Sequence, residues 1–182
     1  MENSEKIIGE RVYLRKLSLT DVSPSYCGWL NNEEVNKYIG TKSCTMTELK
    51  NYVLQKFNNP DCLFMGIFDK KSNLHIGTVK LEPIDWRKKE ARFGLLIGNK
   101  NYWGKGIGVE ATRLVVDYAF SKMGLNRIIV SAYLENKPAV KVYEKSGFKV
   151  DEIKKGDKRL GKLFDQLAMS IITMSINKND KK

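Results

Sequence analysis

One stretch of this sequence, Tyr102-Trp-Gly-Lys-Gly-Ile-Gly108, constrains the fold more than any other. The run before it, Glu90–Ile97, alternates at first and then turns continuously apolar, which predicts a strand buried at its far end. After it, Val109, Thr112, Val116, Ala119, Phe120 and Met123 recur on one helical face, and Gly124 is a stop signal. Strand, glycine loop, helix is an arrangement that can hold phosphate. Glycines let backbone N–H groups turn toward a ligand, and a helix N-terminus supplies unpaired donors and the positive end of its dipole. Lys105 adds a mobile positive charge at the mouth; the alternative is a tight turn packed against the sheet. Two nucleotide-binding loops fail on spacing. A Walker loop needs Gly-Lys followed by Ser or Thr, whereas Gly106 follows Lys105 here. A dinucleotide fingerprint belongs in an early βαβ unit with an acidic residue about 20 positions on, and this loop lies past mid-chain without that register.

The remaining chain reads as strands and short helices around this centre. Arg11–Leu17 alternates as a first strand, and helical patterning covers about 21–31 and 33–39. Thr45-Met-Thr-Glu48 is a capping box opening a helix with Leu49, Tyr52, Val53 and Phe57 at its apolar positions. Leu63–Phe68 and Leu74–Ile84 are strands joined by the turn Asp69-Lys-Lys-Ser-Asn73. Arg127–Leu134 is a further strand, Lys137–Ser146 a helix with Pro138 in its first turn and Gly147 beyond its end, and Phe148–Ile153 and Leu163–Ile176 the last strands. No repeat, low-complexity block or Pro/Gly-rich linker divides the sequence. The expectation is one α/β (α+β) domain over 1–176, a central sheet flanked by helices, with a basic tail, 177–182, that frays.

Charge asks for a partner. With 32 Lys+Arg against 21 Asp+Glu the chain carries +11, which admits nucleic acid, an anionic membrane or a polyanionic small molecule. The lysines are scattered in pairs (Lys70-Lys71, Lys88-Lys89, Lys154-Lys155) and form no clustered stripe interleaved with aromatics, so nucleic acid is not favoured. No apolar run reaches the roughly 18 residues of a membrane span, and MENSEKIIGE lacks the order of a signal peptide, so the expected location is the cytoplasm. Cys27, Cys44 and Cys62 are odd in number and widely spaced, and His75 is the sole histidine, so neither a disulfide framework nor a metal site is expected. His75 lies in a strand-like run and reads as satisfied or solvent-facing, not as catalytic.

Two segments then carry a resemblance. Asn101-Tyr-Trp-Gly-Lys-Gly-Ile-Gly-Val-Glu-Ala111 resembles the acetyl-CoA pyrophosphate loop of the GNAT acetyltransferase superfamily, and Asn136-Lys-Pro-Ala-Val-Lys-Val-Tyr-Glu-Lys-Ser-Gly-Phe148 resembles its second signature. Both occur in order, joined by a helix and a strand. Within the superfamily the chain is most similar to the RimJ/RimL-type branch, the ribosomal-protein N-terminal acetyltransferases and their small-molecule relatives. The resemblance implies a single domain with a mixed, mostly antiparallel sheet, acetyl-CoA as acyl donor, an amine acceptor and no metal. Carried across, the backbone of Trp103, Gly104, Lys105, Gly106, Ile107, Gly108 and Val109 would meet the pyrophosphate. Leu96, Ile97 and Gly98 would pair with the pantetheine amides like an added strand, and Asn136 would contact the pantetheine or adenosine. Trp103 stands where many members have Gln or Arg and contributes a backbone N–H but no charge.

The resemblance also suggests chemistry. Tyr143 sits where the family often places the phenol that protonates or hydrogen-bonds the departing sulfur. Some members use a serine near it, but the matching position is Ala139, which leaves Tyr143 as the only obvious donor. For the base, Glu82 is the first candidate, with Glu90, Glu135 and Asp165 as competitors, and a water chain could carry the proton without any of them. The acceptor would meet the N-terminal helices, where Trp29 and Tyr38 could line a cleft and Asn32, Glu33 and Asn36 could recognise a polar amine; core packing of Trp29, Val35 and Ile39 is the alternative. Protein N-termini, nucleotide amino sugars, polyamines and aminoglycosides all fit, although +11 opposes a free polycation. A CoA-binding module without catalysis is the reading from another class. A homodimer is left open.

Overall fold

The structure is a computed structural model and describes residues 6–40, 43–154 and 171–181. Strands β1 (Ile7–Ile8), β2 (Val12–Lys16), β3 (Leu63–Asp69), β4 (His75–Asp85), β5 (Glu90–Ile97), β6 (Arg127–Tyr133), β7 (Lys149–Lys154) and β8 (Ile171–Asn177) form one eight-stranded sheet in the order β1-β2-β3-β4-β5-β6-β8-β7. Every neighbouring pair is antiparallel except β5 and β6. The sheet is thus mixed and mostly antiparallel. The helices are α1 (Pro24–Leu30), α2 (Glu33–Asn36), α3 (Met46–Phe57), α4 (Ile107–Ser121) and α5 (Lys137–Lys145).

Local chemistry explains most boundaries. Thr45 accepts from Glu48 N at 3.2 Å while Glu48 Oε2 accepts from Thr45 N at 2.7 Å, the reciprocal pair that starts α3 where the capping box places it. Pro138 sits in the first turn of α5, and Asn136 caps that helix by accepting from Ala139 N. Helix α4 ends at Ser121, two residues short of Met123, and Gly124 beyond it takes a left-handed φ of +70°.

The sheet is covered on both faces. One core joins Val79 and Leu81 of β4, Phe93 of β5 and Ile128 of β6 to Ala111, Val115 and Val116 of α4 and to Tyr143 of α5. The other packs Leu17, Phe64 and Phe68 beneath Tyr26, Trp29, Val35, Leu49 and Val53 of α1, α2 and α3. Period-two alternation follows: Leu81 faces α4, while its neighbours Lys80 and Glu82 reach Tyr52 and Lys56 of α3. Lys182, at the end of the tail expected to fray, lies outside the described residues. Residues 178–181 form a 3-10 turn, and Asp180 accepts from Lys149 Nζ at 2.6 Å. Asp165 and the first part of the strand expected over Leu163–Ile176 lie outside the described residues.

His75 is neither solvent-facing nor fully satisfied. Its ring stacks on Phe68 at 5.0 Å and meets Tyr26 and Trp29 edge-on, Nε2 donates to Gly77 O at 2.9 Å, and Nδ1 is buried with no partner among the described residues. Burial pushes its pKa down from 6.5 to about 4, and the nearby Asp21 charge offsets only part of this. Between those values the unfolded chain takes up a proton that the folded chain refuses. Folding stability therefore falls as pH drops through that window, by about 3 kcal/mol in all. Urea unfolding across pH 7 to pH 4 checks this: His75→Phe loses most of the wild-type slope between pH 6.5 and 4, and an unchanged slope contradicts the assignment.

Candidate active site

Strands β5 and β6 pair only at Glu90–Arg127, Ala91–Ile128 and Arg92–Ile129 and then diverge. Beyond Arg92, β5 keeps its hydrogen bonds to β4 but presents the other edge of its backbone to an opening. A cavity of about 850 Å³ fills that gap, walled by Phe93–Ile97 on one side and Ser131–Tyr133 on the other. Toward one face of the sheet it is lined by Ile107, Gly108 and Val109 of α4 and by α5, and toward the other by Glu34, Val35, Tyr38 and Ile39. The opening passes through the sheet, so two reactants can approach each other from opposite faces.

At the α4 end lies the glycine turn. Gly104 and Gly106 hold φ values of +70° and +77°, a region that costs any residue with a Cβ strain, and Gly106 is the N-cap of α4 without a side-chain cap. The amides at the start of α4 therefore lack helical acceptors and point outward as donors for an anion. Gly108 allows close approach, since a Cβ there would meet Leu95 and Val142 at 3.3 Å. The Trp103 indole does more than the sequence suggests: its Nε1 donates to Ile97 O at 2.7 Å and ties the turn to the end of β5. Lys105 is exposed and does not line the cavity; its carbonyl is held by Arg11. Gly98 lies outside the lining as well, and its bare Cα faces the Trp29 ring, where a Cβ would collide.

Tyr143 projects from α5 into the same cavity. Its ring packs edge-on against Phe93 at 6.1 Å and beside Phe148, the residue is 5% exposed, and its hydroxyl makes no hydrogen bond to a described residue. Burial pushes its pKa up from 10 to about 12, so the phenol is protonated and able to donate at neutral pH. Asn136 lines the cavity while its Oδ1 caps α5.

The other sequence candidates are distributed differently. Glu82 points away from the cavity, toward α3, where Oε1 accepts from Lys56 Nζ at 2.7 Å and Asn59 Nδ2 at 3.1 Å, and Oε2 pairs with Lys80 Nζ at 2.8 Å. Burial would raise its carboxyl pKa, but the two ammonium groups hold it below the usual range. Glu82 is thus an ion-pair centre between two lysines and lies outside the lining of the cavity. Glu82→Gln accordingly leaves kcat within twofold and costs about 1 kcal/mol in urea unfolding; a large kcat loss at unchanged stability would restore it as the base. Glu90 and Glu135 are also outside the lining. Trp29 is a buried core residue, and Asn32 caps α2 by accepting from Glu34 N and Val35 N, so neither faces the opening; Tyr38 does.

Sequence reasoning missed Tyr133, which tilts against Tyr38 at 5.9 Å across the gap, and Glu34, the one carboxylate lining the cavity among the described residues. Glu34 pairs with Lys100 at 3.1 Å and its side chain is 69% exposed. Tyr133 lies on a different strand from Tyr38, and no local pattern links them. Among the described residues no cluster of three metal-ligating side chains occurs, and no helix is long and apolar enough to cross a membrane.

Comparison with known proteins adds the family. A family model described as the acetyltransferase (GNAT) domain matches residues 11–149. An uncharacterized N-acetyltransferase, p20, of Bacillus licheniformis is 29% identical over 173 residues, covering 92% of this chain and 96% of its own. Spermidine N(1)-acetyltransferase of Escherichia coli K12 is 33% identical over 75 residues, 41% of this chain and 40% of its own. The crystal structure of spermidine N-acetyltransferase from Vibrio cholerae in complex with CoA and spermine superposes with a TM-score of 0.81 at 21% identity, over 93% of this chain and 97% of that one. The family match runs from the start of β2 to the start of β7 and takes in both walls of the opening and the glycine turn; the chain belongs to the GNAT acetyltransferases, acetyl-CoA-dependent enzymes that acetylate amines.

Proposed function

We propose that acetyl-CoA lies along the free edge of β5 with its pyrophosphate on the glycine turn, and that a small cationic primary amine reaches the thioester from the α2 face. The observation that carries this is the divergence of β5 and β6 after Arg92, which opens the sheet between the two faces beside the Tyr143 phenol. The β5 backbone groups that β6 leaves unpaired after Arg92, apart from Ile97 O, which the Trp103 indole holds, suit the two amides of pantetheine, as strand addition does for a peptide. The outward amides of Ile107, Gly108 and Val109 suit the pyrophosphate.

Transfer then needs a neutral amine, a stabilised oxyanion and a proton for sulfur. The reacting ammonium first gives one proton to water; the amine lone pair then attacks the thioester carbonyl and forms the C–N bond, and the C–S bond breaks as the tetrahedral intermediate collapses. Tyr143 gives its proton to the departing thiolate, and the proton released by the nitrogen returns to the phenolate through water. Water carries both protons, so this balance includes no dedicated base; among the described residues the one carboxylate lining the cavity, Glu34, lies at the α2 side.

For the acceptor, the α2 side offers the Tyr38 and Tyr133 rings and the Glu34 carboxylate, groups that attract an ammonium. The spermidine acetyltransferases among the similar proteins support a polyamine as the acceptor class. The +11 net charge works against it, so attraction must be local to Glu34 and the two tyrosines. A thiol-release assay with acetyl-CoA across spermidine, spermine, peptides with free N-termini and nucleotide amino sugars tests this. The expected result is the highest kcat/KM with a polyamine. A preference for peptide N-termini would move the acceptor to the RimJ/RimL type, and CoA binding without release on any amine would reduce the chain to a binding module.

A further inference from the structure

The glycine turn is braced from behind by residues far away in sequence. Arg11, at the start of β2, donates from Nη1 to Lys105 O and from Nε to Glu110 Oε2 at 2.8 Å. Glu110, in the first turn of α4, also accepts from Arg11 N at 2.8 Å and Val12 N at 3.3 Å through Oε1. Gly9 leaves room for that carboxylate, since a Cβ there would stand 2.6 Å from Oε1, and a Cβ on Gly106 would stand 3.3 Å from the Arg11 guanidinium. Two glycines, one in the β1–β2 turn and one at the N-cap of α4, thus make space for one ion pair.

Geometry gives this pair a consequence at the other side of the turn. The Lys105–Gly106 peptide is planar and trans, so its N–H points opposite to its C=O. Arg11 draws the carbonyl toward β2 and thereby aims the Gly106 N–H away from β2, toward the side where the turn lines the cavity. The same guanidinium neutralises Glu110, whose charge would otherwise lie one turn from an anion site.

We propose that Arg11 is a positioning residue for acetyl-CoA: through the Lys105 carbonyl and Glu110 it holds the glycine turn with its amides presented to the pyrophosphate, without touching the ligand. This rests on the reading that the turn binds CoA. Arg11→Ala is expected to raise the KM for acetyl-CoA about 10-fold while kcat and the KM for the amine stay within twofold. Glu110→Gln is expected to raise the KM for acetyl-CoA no more than threefold: its one amide oxygen can still accept from Arg11 Nε, at the cost of the bonds from Arg11 N and Val12 N, and the turn carbonyl keeps its donor. A parallel calorimetric titration with CoA alone needs no acceptor. Wild-type binding with about 10-fold weaker binding in Arg11→Ala supports the proposal. Equal binding by both proteins overturns it while leaving the CoA reading intact, and no binding by the wild type overturns both. A fall of kcat in step with both KM values and with the melting temperature would reduce Arg11 to a folding role and also overturn it.

Discussion

Replacing Tyr143 with phenylalanine lowers kcat about 100-fold and leaves the KM for acetyl-CoA within about threefold. A positioned acid typically contributes 100-fold or more; Ala139 on the same helix provides no hydroxyl, and among the described residues the one carboxylate lining the cavity, Glu34, lies at the α2 side. The ring itself packs on Phe93 and Phe148 and is kept by the substitution, so the fold is preserved. Steady-state kinetics with thermal unfolding of both proteins reads the two effects separately. Unchanged turnover in Tyr143→Phe removes the phenol from the proton path.

Trp29→Ala destabilises the protein by about 3–5 kcal/mol, the usual cost of emptying a large buried aromatic site. That is a large share of the 5–15 kcal/mol that holds a typical domain together. The ring is 8% exposed, packs against Tyr26 and His75, and lies so close to Gly98 that no Cβ fits between them. Gly98→Ala should therefore destabilise as well, from the opposite side of the same contact. Urea unfolding measures both. A small loss of stability with a large rise in amine KM would instead make Trp29 an acceptor contact.

These two residues mark how far the sequence could be read. Local signals worked: the capping box put the start of α3 at Thr45, the apolar run of β5 ended at Ile97 as expected, and Pro138 and Gly147 bracketed α5. The glycine spacing and the Asn136–Phe148 segment mark one face of the cavity. What was not legible depends on chain segments far apart. Glu82 looked free on its strand, and its partners Lys56 and Asn59 reach it only because α3 packs on that face. Trp29 looked suited to a cleft, and only the approach of Gly98 and His75 makes it core. The divergence of β5 from β6 has no local signature, because it is a property of two strands separated by a whole helix. Tyr133 was hidden for the same reason.

The most direct test of the account is amide hydrogen exchange with and without saturating acetyl-CoA, with no acceptor present. Binding along the free β5 edge and on the glycine turn predicts slowed exchange at Leu95–Ile97 and Gly104–Val109, with exchange around Glu82 unchanged. Protection absent from both segments, or confined to α1 and α3, would contradict it.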